Sequence, residues 1–169
     1  MKKMFYIFAC LLFLSTSATA QERIQMTRHP SGTYDIPCEV NGVRLNFILD
    51  TGASDISLSL TEAAFMLKNG YLDSSDFIGQ TSYMTADGSI ASGTTVNLRI
   101  IKIGSKTLYN VKATISSSID APILLGQSAL GQLGSYTIDG NQLILNSVTP
   151  LSTLKRKVQQ GDAVAQCLS

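Results

Sequence analysis

An aspartate placed at the end of an apolar segment constrains this chain more than any other feature. Residues 43–49 alternate in hydrophobicity and include β-branched and aromatic side chains, a pattern that predicts a β-strand. The strand leads into Asp50, Thr51 and Gly52, a sequence typical of a tight turn. A carboxylate at the end of a buried strand loses hydration, and the amides of a turn that contains glycine can replace the lost water.

Two interpretations of Asp50 follow from this segment alone. Aspartate often caps turns in loops, so Asp50 could be purely structural. A carboxylate held in this way could equally accept and donate protons in catalysis. The remainder of the chain has to decide between them.

Three segments, in a fixed order, favour catalysis. Residues 48–55, ILDTGASD, resemble the active-site loop of aspartic proteases, in which two apolar residues precede Asp, Thr or Ser, Gly, and then Ala or Ser. Residues 123–130, ILLGQSAL, resemble the segment and short helix that close a retropepsin lobe. Residues 83–89, between them, occupy the position of that family's flap hairpin and contain an Asp-Gly turn. The resemblance covers residues 33 to about 146 and points to the bacterial, exported members of the retropepsin-like group.

The resemblance implies a role for each matching residue. Asp50 would be the catalytic carboxylate. The residues that would support the active-site loop are Thr51, Gly52, Ala53 and Gly126. The residues that would form the flap tip and close over substrate are Ala86, Asp87 and Gly88. In this family the Thr hydroxyl bonds across two paired loops, and pepsins carry Ser where this chain has Ala53. Because Ala53 lacks the serine hydroxyl, we expect activity to extend to less acidic pH.

A single Asp-Thr-Gly implies that two chains make one site. Peptide hydrolysis without a metal needs one group to take a proton from water and another to protonate the carbonyl oxygen, and the two carboxylates of an aspartic protease dyad share these tasks. The sequence contains this motif once, and removal of 20 residues would leave 149, enough for one lobe. We therefore expect a homodimer in which Asp50 and its copy meet on the two-fold axis.

The sequence thus predicts an aspartic endopeptidase that needs no cofactor and binds an extended peptide or unfolded protein between strands. One alternative is a non-catalytic peptide-binding or scaffolding module on the same fold. Another is a secreted β-barrel that carries a small apolar ligand, but the sequence shows no sign of the large apolar lining that such a barrel needs.

The predicted fold class is mainly β, a single-lobe, partly closed β-barrel with two or three short helices. We divide the chain into a cleaved signal peptide (1–20), an N-terminal arm (21–32), the retropepsin-like domain (33–146) and a polar C-terminal tail (147–169). A helix after Ser59 or Thr61 should end at Gly70. The residues expected on its packed face are Leu60, Ala63, Ala64 and Leu67. A short strand is predicted over 119–125 and a two-turn helix over 127–133.

The first twenty residues predict export. Lys2 and Lys3 precede an apolar run over 4–14, and residues 18–20 are small, as signal peptidases prefer. The run is too short to span a bilayer, so no stable membrane anchor should remain after cleavage. We expect a periplasmic or extracellular protein.

Charge and cysteine content narrow the partners. Without Lys2 and Lys3, eleven basic residues face twelve acidic ones, a formal charge of −1, and the one basic cluster is 155–157, so nucleic acid is not an expected partner. Cys38 and Cys167 are a possible disulfide in an oxidising compartment, a pairing that the sequence leaves open. No metal site is expected, since His29 is the only histidine.

Overall fold

The computed structural model describes residues 21–146 and confirms a mainly β fold. The strands are β1 (Glu22–Gln25), β2 (Thr27–Arg28), β3 (Tyr34–Val40), β4 (Val43–Leu49), β5 (Ile56–Leu58), β6 (Phe77–Met84), β7 (Ile90–Ile103), β8 (Lys106–Ser116), β9 (Leu124–Leu125), β10 (Tyr136–Asp139) and β11 (Gln142–Leu145). The helices are α1 (Leu60–Lys68) and α2 (Gln127–Leu133), with a 3₁₀ turn over Ser74–Asp76.

Two sheets organise these strands. The larger has eight strands in the order β2-β3-β4-β9-β5-β8-β7-β6, and β3 also pairs with β7. That additional pairing, which joins Val40 to Ile101, partly closes the sheet into a barrel. The smaller sheet is antiparallel, in the order β1-β11-β10.

A tight hairpin positions the strand that precedes Asp50. Asn41 and Gly42 both have positive φ, at 49° and 96°, as the two-residue turn that best matches strand twist requires. The turn sets β3 against β4 from Val40–Val43 to Asp35–Ile48. On its other side β4 pairs in parallel with β9, so the end of β4 is held on both edges.

The core fills the partly closed barrel. Its largest fully buried side chains include Phe47, Ile36, Ile56, Leu98 and Leu125. They come from strands far apart in sequence, so burial of this apolar surface requires the whole sheet to assemble. The thiol of Cys38 is also buried, and burial raises its pKa to about 12. Cys167, its possible disulfide partner, lies outside the described residues.

The segment predicted as an N-terminal arm, 21–32, is integrated into the fold. Strand β1 pairs with β11, and β2 pairs with β3. The side chains of Ile24 and Met26 are buried in the core, and the Glu22 carboxylate accepts a hydrogen bond of 2.7 Å from the Ser105 amide. The polar residues between these contacts hide the strand pattern in the sequence.

Two local predictions need correction. In α1 the buried residues are Ala63 and Met66, whereas Leu60, Ala64 and Leu67 are exposed. The helix is oriented by polar contacts: the Ser59 cap, and the Leu60 amide, which bonds to the Ser118 carbonyl at 3.1 Å. The strand predicted over 119–125 is limited to β9, Leu124–Leu125. Within the described residues, no helix is long and apolar enough to cross a membrane.

We expect Phe47→Ala to lower the free energy of unfolding by about 3–5 kcal/mol, because the change leaves a cavity in the closed part of the barrel. The matched control is Phe65→Ala on α1, where the side chain is 51% exposed. Urea unfolding should separate the two variants clearly. A similar loss in both would show that Phe47 is not a core residue.

Candidate active site

The carboxylate of Asp50 is held by the backbone of its own loop. Its Oδ1 accepts hydrogen bonds from the Gly52 amide at 2.8 Å and the Ala53 amide at 3.2 Å. The Asp50 amide in turn donates to the Leu125 carbonyl at 3.2 Å, which fixes the loop to β9. No hydrogen bond from the described residues reaches Oδ2. The half-buried side chain therefore presents one oxygen fixed by the protein and one available to another group.

The beginning of α2 supports this loop from behind. The Gln127 amide donates to the Ala53 carbonyl at 2.8 Å, and the Ser128 amide donates to the Ser54 carbonyl at 3.0 Å. The Gln127 side chain also donates to the Thr51 carbonyl at 2.9 Å, while Ser128 Oγ accepts from the Ile56 amide at 2.9 Å. The loop and the helix thus form one rigid unit.

Gly126 makes this close approach possible. A Cβ atom at this position would lie 2.2 Å from the Asp55 carbonyl oxygen and 2.7 Å from that of Ala53. Both distances are too short for any real contact, and both partners are backbone atoms that cannot swing away. Only glycine fits between the helix and the loop.

A row of paired residues leads across the sheet beside Asp50. Ile48 pairs with Leu124, Leu124 with Ser57, Ser57 with Thr114, and Thr114 with Thr95. Paired residues project from the same face of a sheet, so these five side chains share one surface. It is opposite to the surface that carries the core residues of β5 and β8. Thr95 and Thr114 are buried, whereas Ile48, Ser57 and Leu124 are partly exposed, and we call the surface of these three residues the cleft floor.

The hairpin β6–β7 contains the residues predicted to form a flap tip, Ala86, Asp87 and Gly88, and we call this hairpin the flap. Its tip is closed by hydrogen bonds from the Thr85 amide to the Ser89 carbonyl and from the Gly88 amide to the Thr85 carbonyl, both 2.9 Å. Asp87 accepts hydrogen bonds from the Thr85 hydroxyl and from the Ser89 amide and hydroxyl, which lower its pKa to about 2. The flap tip is therefore a self-contained turn, with Ala86 exposed at its end.

Sequence analysis did not identify every residue that shapes the site. It missed the support that the side chains of Gln127 and Ser128 give to the loop, although both lie inside the second motif. It also missed the ion pair between Asp55 and Lys112, whose charged atoms are 2.8 Å apart at the edge of the loop. Pairs so far apart in sequence leave no local pattern.

Comparison with known proteins supports the protease resemblance. The family model described as gag-polyprotein putative aspartyl protease matches residues 36–132. The chain is also similar to the crystal structure of a retropepsin-like aspartic protease from Rickettsia conorii, with 31% sequence identity and a TM-score of 0.55. That match covers 75% of this chain and 99% of the solved one.

Curated relatives extend the similarity to other bacteria. An uncharacterized protein of Rickettsia prowazekii is 32% identical over 129 residues, which are 76% of this chain and 53% of the relative. An uncharacterized protein from the cobV 5′ region of a Sinorhizobium species is 32% identical over 132 residues, 77% of this chain and 54% of the relative. The chain therefore spans about half the length of the curated relatives it matches.

Substitution of Gly126 by alanine should disrupt the loop. We expect Gly126→Ala to lower the melting temperature and to speed hydrogen exchange at the amides of Gly52 and Ala53, because the new methyl group separates α2 from the loop. The control is Gly131→Ala, also in α2, where the added methyl group has no atom within 4 Å. This substitution should stabilise the helix by up to about 1 kcal/mol, because alanine has a higher helix propensity than glycine. Equal effects at the two positions would contradict the packing argument.

The hydrogen bonds of the flap tip should persist to a lower pH than the pKa of an ordinary aspartate would allow. Because hydrogen bonds depress the pKa of Asp87 to about 2 from an ordinary value near 3.9, the turn should be intact above pH ~4 and lose these bonds only as the pH falls through about 2. Amide chemical shifts of residues 85–89 would report this transition, and Asp87→Asn should abolish it. A transition centred near pH 4 would rule out the described network.

Proposed function

This chain belongs to the retropepsin-like aspartic protease family, and from that premise we propose that it is an exported, homodimeric aspartic endopeptidase. Its site would be a dyad of Asp50 and the Asp50 of a second copy. Its substrate would be an extended peptide or an unfolded protein. The signal-like residues 1–20 support export, to the periplasm or beyond.

The observation that carries this proposal is the state of Asp50. The loop amides bind Oδ1 and fix the carboxylate at the end of β4, but Oδ2 receives no hydrogen bond from the described residues. The turn cap Asp87 also leaves Oδ2 without a hydrogen bond from the described residues, but Asp50 differs because it follows a strand that is paired on both edges and because its loop packs against Gly126. A carboxylate with one oxygen fixed and the other available is suited to bind a water molecule or share a proton.

The second carboxylate has to come from outside this loop. Asp55, the nearest acidic residue in the sequence, forms an ion pair with Lys112. Asp87 is engaged in the flap turn, and Asp139 lies in a hairpin of the other sheet. Since Asp-Thr-Gly occurs once, a symmetric dimer is the simplest source. Thr51 supports this, because its exposed hydroxyl makes no hydrogen bond within the described residues and is available to a partner loop.

Proton transfer would follow from the pairing. Two carboxylates held about 3 Å apart cannot both be ionised, so they share one proton. The ionised member would take a proton from water while the protonated member polarises the scissile carbonyl. Attack of the water on the carbonyl carbon would give a tetrahedral intermediate, which collapses when the leaving amine is protonated. No metal or covalent intermediate enters this scheme.

Substrate would lie between the cleft floor and the flap. Ile48 and Leu124 supply apolar surface beside Asp50, and Ser57 adds a hydroxyl. On the flap, Met84 and Ile90 pair across the hairpin and are largely exposed. Such exposed apolar side chains would be covered when a peptide binds beneath the flap. Closure of the flap over the peptide would exclude water from the dyad.

Replacement of the catalytic carboxylate is the first test. We expect Asp50→Asn to reduce cleavage of an unfolded protein substrate by at least about 10³-fold, because the amide cannot act as a general base. Asp139→Asn, which makes the same change at the exposed end of β10, should retain full activity. Cleavage would be followed by release of new amino termini.

The outcomes distinguish the proposal from its alternative. Equal proteolysis by Asp50→Asn and the parent would contradict the mechanism. Peptide binding without cleavage by either protein would instead favour a binding or scaffolding module on the same fold.

The pH dependence tests the role of Ala53. We expect Ala53→Ser to shift the pH profile of cleavage toward acid, because the added hydroxyl can donate a hydrogen bond that favours the ionised carboxylate. Ala64→Ser on the exposed face of α1 adds the same group away from the dyad and should leave the profile unchanged. A parent profile confined to strongly acid pH would contradict this expectation.

A further inference from the structure

The flap extends beyond the edge of the closed barrel. Strand β8 ends at Ser116, which pairs with Gly93 of β7. Residues 90–92 of β7 therefore pair only with β6, as a two-stranded hairpin. An isolated two-stranded hairpin is marginally stable in water, so the orientation of this flap needs a further contact.

One side chain of the flap reaches back to the barrel. The hydroxyl of Tyr83, near the end of β6, lies 2.9 Å from Ser116 Oγ. Ser116 is only 4% exposed, and its Oγ also accepts a hydrogen bond of 3.1 Å from the Ser118 amide. With that amide already donating to it, Oγ is placed to accept the Tyr83 proton as well. We call this hydrogen bond the Tyr83–Ser116 latch.

Gly93 provides the space that the latch needs. A Cβ atom there would lie 3.1 Å from Cε1 of the Tyr83 ring, 2.8 Å from Cγ2 of Thr114 and 2.7 Å from the Ile115 carbonyl oxygen. The tyrosine ring thus passes over a glycine at the point where the third strand ends.

The latch is tied to a fixed part of the structure. Just beyond Ser116, the Ser118 carbonyl accepts a hydrogen bond from the Leu60 amide at the start of α1. The beginning of β6 is fixed separately, since the buried Asp76 accepts a hydrogen bond of 2.9 Å from Arg99. The flap tip closes on itself through Thr85, Asp87 and Ser89. Among residues 21–146, the latch is therefore the side-chain hydrogen bond that joins the far half of the flap to the barrel.

We propose that Tyr83 is a positioning residue for catalysis: its hydroxyl donates to Ser116 Oγ and thereby holds the flap over the cleft floor beside Asp50. The expected effect on catalysis rests on the proposed proteolytic function, whereas the latch itself concerns the flap alone. Tyr83 takes no part in proton transfer to substrate. Its loss widens the range of flap orientations, so a peptide has to order the flap when it binds.

The test compares Tyr83→Phe and Ser116→Ala with Tyr109→Phe in the full chain. Tyr109 is 61% exposed on β8 and loses the same hydroxyl. We expect both latch variants to speed hydrogen exchange at flap amides 84–92 by about 2- to 10-fold, the effect of one neutral hydrogen bond. The double variant should exchange no faster than Ser116→Ala, because the two groups act as one unit.

Kinetics separate positioning from general stability. With a peptide substrate, Tyr83→Phe should raise KM about 2- to 10-fold and change kcat less than twofold, whereas a loss of folded protein would lower the apparent kcat at constant KM. Flap exchange and KM equal to those of Tyr109→Phe would overturn the proposal. If the parent shows no cleavage that depends on Asp50, the proposed function fails, and the exchange data alone then decide the latch.

Discussion

Close packing of backbone at Gly126 is the interaction on which the site depends. The carbonyl oxygens of Ala53 and Asp55 lie so near this residue that no side chain fits. Because α2 begins there, its amides reach the loop that carries Asp50, and Gln127 bonds to the carbonyls on both sides of Gly52. The carboxylate is thus positioned by backbone geometry, which tolerates little displacement and suits a group that, in the proposed dimer, would lie within about 3 Å of its symmetry copy.

The barrel and the flap serve that loop in different ways. Pairing of β4 with both β3 and β9 fixes the strand before Asp50. The flap leaves the barrel where β8 ends, and it keeps a large exposed surface at Met84 and Ile90. In the proposed function the loop keeps the carboxylate fixed, and the flap has to open for substrate and return to the position that the Tyr83–Ser116 latch holds. In the proposed dimer, each chain would supply one carboxylate of the dyad and one flap.

Short sequence patterns predicted the elements whose structure depends mainly on neighbouring residues. The turn at Asp87–Gly88 and the helix α2 over 127–133 follow from local sequence signals, and the structure confirms both. The buried face of α1 was predicted wrongly, because contacts with Ser118 and Ile119 orient that helix more strongly than its apolar spacing. The strands within 21–32 were missed for a similar reason: their partners lie far along the chain, and no short window of sequence contains them.

The central claim is that each active site needs two copies of Asp50, and a mixing experiment tests it directly. Parent and Asp50→Asn chains are unfolded together in equal amounts, refolded, and assayed at a constant total concentration at which the protein is dimeric. If both carboxylates are required, only parent homodimers are active, and cleavage falls to about one quarter of that of the parent alone. Activity of about one half would mean that each chain works independently and would contradict the account.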